Sequence, residues 1–281
     1  APMTLIFLLF WIYPIARGIW GSFTLWSAFN PTAPWVGMRH YQGLLTDPIF
    51  LEALQNTFAF ALLYLPTALV AALLVALAVE AAGGGRNFFR MIYFIPVVTS
   101  TIATALIWLW LYQPSFGLFN QLLQIVGLPP QSFLKSTSQA LPAIVLYTLW
   151  KNLGFNMVLF IAGLSAIDPS FYDAARVDGA NRWQSFWRIT LPLLEPTLVF
   201  VFVTGVIGAL QVFGPIYVMS SGDGLPGGPA NATMVISVYQ WLIAFRELEL
   251  GYGSAMGVVL FVLILLLTLA QTSFLRTRWE Y

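Results

Sequence analysis

Six stretches of this chain, residues 4–25, 57–81, 91–112, 141–165, 198–219 and 253–275, are each apolar and reach the roughly 20 residues a helix needs to cross a hydrocarbon core. Backbone polar groups have no water partner at that depth, so each stretch must satisfy its hydrogen bonds internally. The chain is therefore predicted to be an all-α integral membrane protein with six transmembrane helices. Charge excludes a soluble fold: 8% of residues are Asp, Glu, Lys or Arg, against about 25% in soluble domains. Aromatic residues reach 16%, which suits a surface facing lipid and its interfaces. Pro14, Pro66, Pro96, Gly154 and Gly205 fall inside the stretches and are tolerable where neighbouring helices satisfy the freed backbone. The first stretch lacks the basic leader and small-residue cleavage site of a signal peptide, so it reads as a true span. A chain opening on Ala1 rather than Met is expected to have lost an N-terminal tail.

Basic residues orient the spans. Arg86, Arg90, Arg176, Arg182, Arg188, Arg276 and Arg278 fall on one side; Arg39, Lys135 and Arg246 fall on the other, with Arg17 and Lys151 inside spans. Both termini are accordingly expected to be cytoplasmic. Several chemistries are excluded. With no Cys there are no disulfides or thiolates. His40 is the only histidine, which excludes multi-histidine metal sites, and in an external loop it reads as solvated. The run Gly83-Gly84-Gly85-Arg86 lacks the spacing and the Lys-Ser/Thr of a phosphate-binding loop. No catalytic or metal constellation is left, and a non-transport enzyme or scaffold is the remaining rival to a transport role.

One inter-span segment, 168–196, stands apart: DPSFYDAARVDGANRWQSFWRITLPLLEP. Asp168 can cap a helix that opens on Pro169. Phe171, Ala174, Ala175 and Val177 give it a short apolar side, and Gly179 can end it in a left-handed conformation. A second helical run, 182–189, is expected to stop before Leu191-Pro192. Taken alone, the pair fits an amphipathic element lying on lipid headgroups as well as a docking surface.

Asp173-Ala174-Ala175, Asp178-Gly179-Ala180, Phe186, Ile189 and Leu191-Pro192 resemble, with spacing intact, the EAA loop of ATP-binding-cassette importer permeases. Asp173 stands where that family usually has Glu. Three further stretches resemble its carbohydrate-type branch, which includes maltose, trehalose and glycerol-3-phosphate permeases. They are 86–123, Gly227-Gly228-Pro229 through Ala244-Phe245, and Gly251-Tyr252-Gly253-Ser254-Ala255-Met256. The resemblance implies the six-helix type I importer permease fold, as a single domain over 1–281 and as the first of two paired permeases. It implies that Tyr172, Asp173, Ala174, Ala175, Asp178, Gly179 and Ala180 couple the chain to a separate ATPase. ATP and Mg²⁺ would be held there, leaving this chain without a cofactor or an enzymatic activity. The remaining implied partners are a second permease, two nucleotide-binding subunits, an extracytoplasmic solute-binding protein and a carbohydrate, in a bacterial or archaeal cytoplasmic membrane. A permease for glycerol-3-phosphate, amino acids or phosphate is the alternative. Asn231-Ala232-Thr233 matches a glycosylation sequon, as three residues often do by chance.

Polar residues inside spans are candidates for the solute pathway, because burying them is costly. The fourth stretch holds Trp150, Lys151, Asn152, Phe155 and Asn156. Asn152, Phe155 and Asn156 share a helix face at i, i+3 and i+4, and amides beside an aromatic ring suit a sugar's hydroxyls and its C–H face. In the fifth stretch Gln211 is the polar candidate and Gly208 leaves room. The competing reading for the amides is interhelical hydrogen bonding. Lys151 could meet an anionic solute, pair with an acid on a partner, or reach for an interface. Arg17 is expected to reach external headgroups.

Overall fold

The computed structural model describes residues 2–29, 32–221, 224 and 226–275. Arg276 and Arg278, counted above for orientation, lie outside them. Among the described residues the regular structure is helical, apart from an isolated bridge between Thr24 and Trp35.

Four unbroken helices are long and apolar enough to span a membrane: α1 (Met3–Gly21), α3 (Pro48–Ala81), α7 (Ala140–Ser165) and α13 (Leu250–Leu275). A short α2 (Arg39–Thr46) precedes α3. Counting each of two bent pairs as one broken span gives six. The first is α4 (Arg86–Val98) with α5 (Thr101–Leu111), bent by 97°. The second is α9 (Arg182–Leu193) with α10 (Glu195–Leu210), bent by 62°. Connecting helices are α6 (Leu118–Ile125), α8 (Pro169–Val177), α11 (Gly214–Ser220) and α12 (Ile236–Trp241).

Three expected boundaries change. The stretch 91–112 is not one helix: Thr99 and Ser100 are extended, and the Ser100 hydroxyl caps α5 from outside. Pro96 already removes one donor from the last turn of α4, so the helix ends soon after it. The stretch 198–219 ends as a helix at Leu210, with Gln211–Phe213 non-helical before α11. The run 182–189 does not stop before Leu191-Pro192 but continues to Leu193 through a π-helical turn, Phe186–Thr190. That wider turn accommodates a proline, which cannot donate back along the helix.

Helix α3 starts nine residues earlier than the apolar pattern suggests, because Asp47 anchors it. Its Oδ1 accepts from Ile49 N (2.9 Å) and Phe50 N (3.2 Å), and Pro48 suits the first turn. Its Oδ2 accepts from the hydroxyls of Tyr239 (2.8 Å) and Tyr252 (3.0 Å), tying α3 to α12 and α13. Burial, reinforced by this carboxylate, holds the Tyr239 hydroxyl above the ordinary tyrosine range. Asp47→Ala removes a cap and strands two hydroxyls, and is expected to destabilise the fold by about 3 kcal/mol. Thermal unfolding of the detergent-solubilised complex checks this: a transition at the parent temperature would mean that the tyrosines find other acceptors.

One expectation for a polar side chain is corrected here. His40 is not a solvated loop residue: it sits in α2, half-buried, with Nε2 2.9 Å from the Thr24 carbonyl and its ring edge-on to Tyr252. Arg17 lies over the rings of Trp20 and Trp26. Helix α1 is otherwise unburied along its length and meets the bundle near Gly21, beside Ser254 of α13.

Candidate functional site

A cavity of about 340 Å³ opens where α3, α7, α10 and the start of α5 converge. From α7 it takes Thr148, Lys151, Asn152, Phe155 and Asn156, spaced so that one helical stripe faces the void. Across it stand Tyr64 of α3 and Thr204, Gly208 and Phe213 of the fifth span. Asn152 Nδ2 donates to the Tyr64 hydroxyl at 3.1 Å, so this amide joins two helices and lines the cavity at once. Phe155 is half exposed toward the void. No atom lies within 4 Å of where a Cβ on Gly208 would sit, whereas one on Gly205 would be 2.9 Å from Leu65. Gly205 is thus a packing glycine, and Gly208 keeps space open.

Two candidates fall elsewhere. Gln211 follows the last turn of α10, is exposed, and does not line the cavity. It is the C-terminal cap of α10, its N–H donating to Ile207 O at 3.2 Å. Trp150 lies beside the cavity stripe and packs on Trp108 (ring centroids 5.3 Å) and Tyr147 (6.3 Å). Tyr64, Thr101, Thr148 and Phe213 are lining residues missed in the sequence. A tyrosine two positions before Pro66 in an apolar run was the one available signal.

Lys151 is buried, at 6% exposure. Its ammonium donates to the carbonyls of Pro96 (a short contact), Val97 (3.3 Å) and Thr99 (2.6 Å) and approaches Thr99 Oγ1 at 3.4 Å. Two of these carbonyls belong to the last turn of α4 and the third to the extended Thr99 beyond it, where the break leaves them without helical partners. No carboxylate pairs with Lys151 among the described residues.

The 168–196 segment forms two capped helices. Asp168 accepts from Ser170 N at 2.8 Å, and this backbone hydrogen bond holds its carboxyl below the usual carboxylate range. Helix α8 ends in a Schellman motif: Gly179 has φ +76°, Ala180 N donates to Ala175 O (2.9 Å), and Gly179 N donates to Arg176 O (3.2 Å). Asn181 and Gln184 then make a reciprocal capping box for α9. The Tyr172 hydroxyl meets Thr190 Oγ1 at 3.0 Å, which fixes one helix on the other. Asp173 pairs with Arg176, and both are exposed. Ala175 is buried, Ala174 and Asp178 are exposed, and Ala180 is half-buried. Phe171, Val177, Trp183 and Trp187 project from the surface. The two helices thus present a rigid knob with apolar tips.

The family described as binding-protein-dependent transport system inner membrane component matches residues 48–279. The chain belongs to this family. The permease is 36% identical over 271 residues to the trehalose/maltose transport system permease protein MalF of Thermococcus litoralis, covering 95% of this chain and 89% of that one. It is 32% identical over 282 residues to the sn-glycerol-3-phosphate transport system permease protein UgpA of Brucella abortus, covering 100% and 94%. A crystal structure of a bacterial alginate ABC transporter, in complex with alginate pentasaccharide-bound periplasmic protein, contains a chain that superposes on the permease with a TM-score of 0.84. The two chains are 26% identical, over 97% of this permease and 90% of that chain. This chain is therefore a multi-pass membrane permease of a binding-protein-dependent importer.

Proposed function

We propose that this permease forms half of the pathway of an ATP-driven carbohydrate importer. One observation carries the solute class: Asn152, Phe155 and Asn156 face a cavity together with the Tyr64 hydroxyl and the open floor at Gly208. Neutral donors and acceptors beside an aromatic face suit a polyhydroxylated ring, and relatives named for trehalose/maltose and alginate transport point the same way. ATP and Mg²⁺ are held by two separate nucleotide-binding subunits, which seat the knob formed by Tyr172–Ala180. The Gly83–Gly85 run is a tight turn that leads Arg86 and Arg90 back to Glu80 (2.7 and 2.8 Å). A second permease completes the pathway, an extracytoplasmic binding protein delivers the solute, and both termini are cytoplasmic. Closure of the ATPase pair on ATP moves the knob, and the spans reorient around the cavity.

Asn156→Ala removes hydrogen bonds worth about 1–1.5 kcal/mol, so uptake by the reconstituted complex at low solute is expected to fall about tenfold. Assembly with the ATPase should be normal; unchanged uptake kinetics would remove the amide from the solute path. The UgpA relative keeps a second reading in view, glycerol-3-phosphate. Calorimetry on the associated binding protein, run against mono-, di- and oligosaccharides and glycerol phosphates, separates the two. Binding of the phosphate esters alone would overturn the carbohydrate reading.

A further inference from the structure

One stripe of α7 touches both halves of the broken third span. Tyr147, Lys151 and Gly154 are spaced i, i+4 and i+7, which places them on one helix face. Tyr147 is fully buried. Its hydroxyl donates to the Thr101 carbonyl at 2.9 Å and meets Thr104 Oγ1 at 2.8 Å, which fixes the first turn of α5. One turn along, the Lys151 ammonium takes the α4 carbonyls of Pro96 and Val97 and that of Thr99 in the extended break. Near the next turn, Gly154 lets the α4 backbone touch α7: a Cβ there would lie 2.0 Å from Tyr93 O.

The chemistry suits the break. An interrupted span leaves carbonyls that water cannot reach in hydrocarbon, and each orphan is costly. A cation at a helix C-terminus also meets the negative end of the helix dipole. An ammonium has three donors, and three carbonyls lie within hydrogen-bonding distance. It therefore has no donor left for a solute in the cavity whose edge it forms.

We infer that Tyr147, Lys151 and Gly154 form a clamp that sets the bend of the third span, with Lys151 acting as a positioning residue rather than a solute ligand. The inference concerns the shape of the span and holds for any solute.

The natural absence of cysteine makes the test direct. Nitroxide labels on cysteines introduced at the exposed positions Met91 and Trp110 bracket the break. With a 97° bend their backbone positions lie about 19 Å apart, against about 28 Å in a straight helix at 1.5 Å per residue. In the assembled complex, double electron–electron resonance should give a narrow short-distance peak for the parent. Lys151→Met should shift or broaden it toward longer distances. A parent-like peak in Lys151→Met overturns the clamp, and most directly so if uptake is lost at the same time. Should that variant not accumulate, Tyr147→Phe carries the same test, lacking only the hydroxyl. Broadening supports the clamp, and a sharp peak at the parent distance overturns it.

Discussion

Gly179→Pro should leave the permease inserted and assembled but reduce solute-stimulated ATP hydrolysis in the reconstituted complex to its unstimulated level. Gly179 has φ +76°, whereas proline is locked near −65° and misfit prolines cost about 3 kcal/mol. At 1.4 kcal/mol per factor of ten, that displaces the turn in nearly every molecule. Proline also lacks the N–H that Gly179 donates to Arg176 O, so the angle between α8 and α9 is lost with the motif. Gly179→Ala separates the two causes. Space is free around a Cβ at this position, so alanine meets only the left-handed backbone cost of about 1–2 kcal/mol and should give an intermediate defect. Asp173→Lys tests the surface instead of the turn. The Asp173–Arg176 pair is exposed, and such pairs stabilise a fold by at most about 1 kcal/mol. The loop should keep its shape while its charge toward the ATPase reverses. Normal stimulation in both Gly179→Pro and Asp173→Lys complexes would detach this loop from coupling.

Gly154→Val is expected to destabilise the assembled permease strongly. Its Cβ would lie 2.0 Å from Tyr93 O and 2.6 Å from Tyr93 C. Those are backbone atoms of α4, so no side-chain rotation relieves the overlap and the helices must separate. Overpacking of this kind costs about 1–3 kcal/mol or more, and close approach through small residues is a main source of helix association in lipid. The yield of folded complex after solubilisation, and its thermal transition, should both fall sharply. Gly208→Ala is the matched control: no neighbour lies within 4 Å, so stability should be kept while the cavity narrows and uptake slows. Equal thermal transitions for the two variants would contradict the packing at Gly154.

The contrast between these glycines shows where a sequence stops being readable. Both sit in apolar helical runs, and nothing local tells a glycine that touches a backbone from one that lines a void. Asn152, Phe155 and Asn156 were legible as one face because helical spacing is a local property. Gln211, the polar candidate of the fifth span, lies outside this cavity as the C-terminal cap of α10. Lys151 was recognisable as anomalous but not as a cap, since its carbonyl partners lie more than 50 residues away. Asp47, which caps α3 through Ile49 and Phe50, also accepts from two tyrosines that arrive from α12 and α13.

By itself, then, the sequence determined what depends on solvent and on neighbouring residues: membrane residence, six apolar crossings, and the capped helix–glycine–helix unit at 168–196. Apolar transfer and local capping act within one or two helical turns, so they leave a mark on the string of residues. Only the tertiary structure decided that the third and fifth crossings are broken, which amides border the cavity, and what Lys151 holds. Those outcomes follow from satisfying polar groups between helices distant in the chain, where water is absent and each partner must come from another span.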